Sequence, residues 1–121
     1  MYSLELRQNE IDVLKYRRSG MTFRNIAEKL GHKHQQQTQE LYRTTISKLR
    51  IWNDLNLHNK ELLRAAKKLG KDQKWLLSLY AMMRHNGIAY RWKRMDDEEI
   101  LDIPGFGITY VEFFRVARDL N

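Results

Sequence analysis

Apolar positions recur at helical spacing through most of the chain. In "NEIDVLKYRRSG", Ile11 and Leu14 fall on one face with Val13 and Tyr16 beside it, and Gly20 is a natural stop. Thr22 can cap a second helix that buries Ile26, Ala27 and Leu30, with Gly31 at its end. A third helix is phased by Thr38, Leu41, Tyr42, Thr45 and Leu49, which form one stripe at 3.6 residues per turn. Farther on, Leu62, Ala66 and Leu69 line one face of a helix that breaks at Gly70. Asp72 can cap the next, whose wide apolar arc holds Trp75, Leu76, Leu79, Tyr80, Met82 and Met83. The last segment has an Asp96 cap and Ile100 and Leu101 on a core face. Pro104 then stops the helix, Gly105 and Gly107 turn the chain, and a final helix buries Val111, Phe114 and Ala117.

This pattern predicts an all-α fold. Glycine is scarce, there is one proline, and β-branched alternation is absent. The 121 residues fit one compact domain or two small helical units, here placed at 1–55 and 59–121. Hydrophobic content of 42% with 31% charge marks a globular chain. No apolar run approaches the roughly 18 residues that cross a bilayer, and the start carries no signal pattern. The expectation is therefore no membrane association and a cytoplasmic location, and the absence of cysteine agrees with a reducing compartment.

The formal charge of +7 suits a polyanionic partner. Between 61 and 95 the bases Arg64, Lys67, Lys68, Lys71, Lys74, Arg84, Arg91, Lys93 and Arg94 face only Glu61 and Asp72. Acids come after them at Asp96, Asp97, Glu98, Glu99 and Asp102, where they favour a helix start. On the third helix, the face opposite the apolar stripe carries Gln36, Glu40, Arg43, Ser47 and Arg50, with Gln37 and Gln39 at its flanks. Glutamine amides and arginine forks can read base edges in a major groove. Thr22, Arg24, Lys33 and Lys48 are suited to phosphates, as are Lys67, Lys68 and Lys71 in the basic stretch.

The stretch "LRQNEIDVLKYRRSGMTFRNIAEKLG" resembles, without a gap, the helix-turn-helix of sigma-factor region 4 and of LuxR-type regulators. Glu10, Val13, Leu14, Gly20, Thr22, Ile26, Ala27, Leu30 and Gly31 carry the match, and "TTISKLR" resembles the end of that family's recognition helix. The resemblance implies a small helical DNA-binding unit over about 50 residues, in a family that also contacts RNA polymerase. Two positions depart from it. His32 stands where an apolar residue is usual, and the segment from Gly31 to Leu49 is about one residue longer. His32 and His34 read as polar turn residues rather than metal ligands.

Two further resemblances lie downstream. "AAKKLGKDQKWL" has a helix-turn-helix look similar to the Fis type, with Lys71 where an apolar residue is usual. "DDEEILDIPGFGITYVEFFRVARDL" resembles a helix-hairpin-helix, and with "NGIAY" upstream it looks like the C-terminal domain of the RNA polymerase α subunit. That family's DNA contacts transfer poorly. Ser78, Ala81 and Thr109 stand where it carries an arginine, an asparagine and a lysine. Gly105, Gly107 and Thr109 remain able to hold a phosphate through backbone N–H groups.

The expectation is a small transcription regulator that reads double-stranded DNA with a recognition helix and contacts RNA polymerase, as a monomer or homodimer. Two alternatives stand beside it: an architectural or packaging DNA binder similar to a terminase small subunit, and a protein-only adaptor of the transcription machinery. An enzyme is not expected. The chain has no nucleotide-binding glycine loop, metal triad or nucleophile–base pair, and no cofactor is implied.

Overall fold

The computed structural model describes residues 4–120, and these are all-helical: among them there is no strand. Their α-helices run in the order α1 Gln8–Arg18, α2 Phe23–Leu30, α3 Gln35–His58, α4 Lys60–Lys68, α5 Gln73–His85, α6 Asp97–Leu101 and α7 Ile108–Asp119. A 3-10 turn, Trp92–Arg94, sits between α5 and α6. The chain forms two compact units that divide between Arg50 and Ile51. The division falls inside α3, because no helix breaker interrupts "ISKLRIWNDLNLH". The boundary expected near 55–59 therefore lies a few residues earlier. The first two-thirds of α3 belong to one unit and its last two turns to the other.

In the first unit, Val13, Ile26 and Ala27 are buried with Thr38 and Thr45, and Leu30 is half-buried. Thr22 caps α2 by accepting from the Asn25 N–H at 3.2 Å. The Phe23 and Tyr42 rings meet edge to face at 5.5 Å and join α2 to α3. The inward stripe of α1 differs from the apolar reading. Val13 is fully buried, whereas Ile11 is 36% exposed and Leu14 half-buried. The reason is that Glu10 takes the inward position three residues before Val13. Its carboxylate accepts from the Arg7 N–H at 2.9 Å and from Lys48 Nζ at 3.4 Å, so a charge is held where an apolar side chain was expected.

The second unit is built on α4, α5 and α7. Leu62, Leu63, Ala65 and Ala66 of α4, Leu76, Leu79, Tyr80 and Met83 of α5, and Val111, Phe113, Phe114 and Ala117 of α7 make its core. Trp92 stacks on Phe114 at 5.3 Å and Trp75 meets Phe113 edge-on at 4.8 Å. Leu69 and Leu101, expected on core faces, are each 44% exposed. Leu69 lies beyond the last turn of α4, where the helical period no longer applies, and Leu101 closes the short α6. Gly105 adopts φ +89°, a conformation that favours glycine, and a Cβ there would lie 3.2 Å from the Met82 methyl, which would have to shift by a few tenths of an ångström.

A buried polar cluster organises this core. Asn59 is 2% exposed at the start of α4. Its Nδ2 donates to the Tyr80 hydroxyl at 2.7 Å and to the Ala89 carbonyl at 2.8 Å, and its Oδ1 accepts from Trp92 Nε1 at 2.7 Å. The Tyr80 hydroxyl in turn donates to Asp54 at 2.6 Å, as does Tyr90. Burial alone would push the Asp54 carboxyl up. The two phenol hydrogen bonds outweigh it, helped by Arg84 and His58, and hold the carboxyl below its ordinary range. Burial and the bond to Asp54 push the Tyr80 hydroxyl up, and the bond to Asp54 does the same for Tyr90.

Asn59→Ala strands the Trp92 N–H and the Ala89 carbonyl, and is expected to cost about 3 kcal/mol in urea unfolding, on the scale of orphaned buried polar groups. Glu10, Asp54 and Glu61 all titrate below their ordinary values in the fold. The stability they contribute is therefore present above the ordinary carboxylate range and is lost as pH falls through and below about 4. The raised tyrosines act in the opposite sense, and stability falls as pH rises beyond about 10. A thermal-melt series across pH checks both limbs, and the Asp54→Asn variant is expected to flatten the acid one.

Candidate nucleic-acid interface

The turn between α2 and α3 sets which side of α3 faces water. Gly31 adopts φ +74°, and the His32 N–H reaches back to the Ala27 carbonyl at 2.9 Å. This closure stops α2 within one residue. His32 is half-buried, and its Nδ1 lies 2.7 Å from the hydroxyl of the buried Thr38 in a hydrogen bond. The histidine thus anchors the turn to the first turns of α3 by a polar contact at the position where an apolar residue was expected. The His34 carbonyl accepts from the Gln37 N–H at 3.1 Å, and the Gln37 side chain accepts from the His34 N–H at 3.3 Å, a reciprocal pair that opens α3.

With that start fixed, Thr38 and Thr45 are buried, Leu41, Tyr42 and Leu49 half-buried, and Gln36, Gln39, Glu40, Arg43, Ser47 and Arg50 exposed. The expected face is present as one polar stripe on a helix whose other side is packed. Arg43 lies along the surface and donates through Nε to Glu40 at 3.2 Å. Both side chains are well exposed, so the pair contributes under about 1 kcal/mol and leaves the guanidinium able to re-pair with a base edge or phosphate.

The remaining candidates fall in different places. Gln37 and Thr22 are committed to helix starts, which removes their side-chain acceptors from the contact set. Arg24 is exposed in the first turn of α2 and Lys33 in the turn before α3. Lys48 is drawn inward to Glu10 and is half-buried.

In the second unit, Lys67 and Lys68 are exposed on α4, while Lys71 is partly buried with its ammonium over the Trp75 ring at 5.0 Å. Gly105, Gly107 and Thr109 are exposed in the turn and first residues ahead of and within α7. Gly107 caps α7 in an extended conformation, and its carbonyl accepts from the Tyr110 and Val111 N–H groups. The N–H groups of Ile108 and Thr109 therefore lead the helix without an intrahelical acceptor. The candidates are thus divided among the start of α2, the α2–α3 turn, α3, α4 with the turn after it, and the α6–α7 turn with the start of α7.

Sequence reasoning missed the acidic anchor Glu10, whose burial in a basic chain has no periodic signature, and the structural role of the His32–Thr38 pair. No protein-family model matches the chain, and no curated protein or solved structure matches it either.

Thr38→Val keeps the shape of the side chain and removes the hydroxyl that meets His32. It is expected to lower stability by about 1 kcal/mol in denaturant titrations, the scale of one hydrogen bond, with helicity by circular dichroism unchanged.

Proposed function

We propose that the chain is a small regulator of transcription that reads duplex DNA with the exposed face of α3. The observation that carries this reading is the two-sided character of α3. One side is packed through Thr38, Leu41, Tyr42, Thr45 and Leu49, and the other presents Gln36, Gln39, Glu40, Arg43 and Arg50 to solvent. Burial of one side fixes rotation about the helix axis, and a helix so fixed can present amides and a guanidinium to a groove without re-phasing. Arg24 and Lys33, in the preceding elements, supply cations for phosphates. The resemblance of residues 6–50 to sigma region 4 and LuxR-type units agrees with this use of the helix.

Individual side chains make these contacts, and they can be removed singly. In competitive gel-shift titrations over duplex fragments, the wild-type chain is expected to separate fragments by affinity. Gln36→Ala with Arg43→Ala is expected to collapse that spread, each bidentate pair being worth about 1–3 kcal/mol of discrimination. Equal affinity of the wild-type chain for every fragment, or a spread that survives both substitutions, overturns the proposal.

A further inference from the structure

The chain carries a second basic surface, and its construction differs from that of α3. The turn between α4 and α5 closes in the same way as the turn between α2 and α3. Gly70 adopts φ +69° and the Lys71 N–H reaches the Ala66 carbonyl at 2.9 Å, matching Gly31, His32 and Ala27. Asp72 then caps α5 by accepting from the Trp75 N–H at 2.7 Å. The helix after this turn is unlike α3. In α5, Leu76, Leu79, Tyr80 and Met83 are buried, and Trp75, Leu77, Ala81 and Met82 are half-buried, so the helix is occupied by its own core around most of its circumference. Its exposed positions beyond the first turn are Ser78, Arg84 and His85. Such a helix has no polar stripe long enough to enter a groove.

The cations lie on the helix before the turn and at its exit. Lys60, Arg64, Lys67 and Lys68 fall at i, i+4, i+7 and i+8 of α4, opposite Leu62, Leu63, Ala65 and Ala66, and all four are exposed. Lys74 is exposed in the first turn of α5. From Leu62 to Lys71 there is no acidic residue, and the carboxylate of Asp72 is engaged by the α5 backbone. Glu61, at the start of α4, is already paired with Lys93 at 2.6 Å. A cluster of like charges with so few acids among them self-repels, and a polyanion relieves it. Apart from Arg64 the cations here are lysines, whose ammonium groups on flexible stems suit the point charges of a phosphate backbone and lack the planar fork that reads bases; the Arg64 fork pairs equally with a phosphate.

We propose that α4 and the turn after it form a second duplex-binding surface, one that holds the phosphate backbone through Arg64, Lys67, Lys68 and Lys74 and reads no sequence. This rests on the reading of the chain as a duplex-DNA binder and adds a division of labour to it: α3 discriminates, α4 supplies sequence-independent affinity.

The test compares three full-length proteins on a random-sequence duplex over a salt series: wild type, the combination Arg64→Gln, Lys67→Gln, Lys68→Gln and Lys74→Gln, and the combination Gln36→Ala and Arg43→Ala. Thermal melts establish that each is folded. The α4 variant is expected to lower the slope of log affinity against log salt by roughly two to four, at about 0.9 for each phosphate no longer neutralised, and to keep the wild-type ranking of fragments. The α3 variant is expected to lose the ranking and keep most of the slope. A slope unchanged in the α4 variant overturns the second surface while leaving the α3 reading intact. Loss of slope in the α4 variant with ranking unaffected by the α3 variant supports the second surface and overturns the reader. Absence of duplex binding by the wild type overturns both. If the α4 variant instead abolishes a salt-sensitive self-association and leaves the duplex slope untouched, the surface belongs to an acidic face of a second copy and the proposal fails.

Discussion

Asn59 is the point on which the second unit depends. One amide, almost fully buried, satisfies the phenol of Tyr80 on α5, the carbonyl of Ala89 and the indole of Trp92. The Ala89 carbonyl and the Trp92 indole would be stranded in the core without it. The geometry also explains why α3 ends where it does. The Asn59 N–H still donates to the Leu55 carbonyl at 2.8 Å, as in a continuing helix, but its own φ of −141° turns the chain into α4. The end of one helix, the start of the next and the position of Trp92 are thus set by one residue. Asp54, five residues earlier, extends the cluster through Tyr80 to Tyr90 at the surface.

The first unit solves a similar problem with charge. Glu10 is held inside by an N–H and an ammonium, and Thr38 is held by His32. Both contacts tie the helix or turn that precedes α3 to α3 itself. The rotation of α3 is therefore determined by polar pairs as well as by Val13, Ile26 and Ala27. Repeated closures at Gly20, Gly31, Gly70 and Gly87, where the following N–H reaches the carbonyl five residues back, make the helix ends short and defined.

Much of this was legible in the sequence. The breaks at Gly20, Gly31 and Gly70, the caps Thr22, Asp72 and Asp96, and the phase of α3 arise from residue chemistry that acts locally, and local chemistry can be read one segment at a time. The phase of α1 was not legible, because a carboxylate occupies its inward stripe. Neither was the end of α3: "ISKLRIWNDLNLH" carries no breaker before Asn59, and the residue that stops it has side-chain partners 21 to 33 positions away. Long-range polar pairing leaves no period. The candidate contact face was readable as a stripe, but the commitment of Gln37 and Thr22 to backbone caps emerged only from hydrogen-bond geometry.

In the proposed reading, the rotationally fixed polar face of α3 recognises duplex DNA and the basic face of α4, poor in acids, adheres to it, so the two tasks fall on different elements. That separation turns on whether the α3 face sits in the major groove. Methylation protection on a well-bound fragment tests this directly, since guanine N7 is exposed only there. Protection of a short run of guanine N7 positions by the wild-type chain, abolished by Arg43→Ala while overall binding persists, is the expected result. Binding with no N7 protection, or protection indifferent to Arg43, would contradict it.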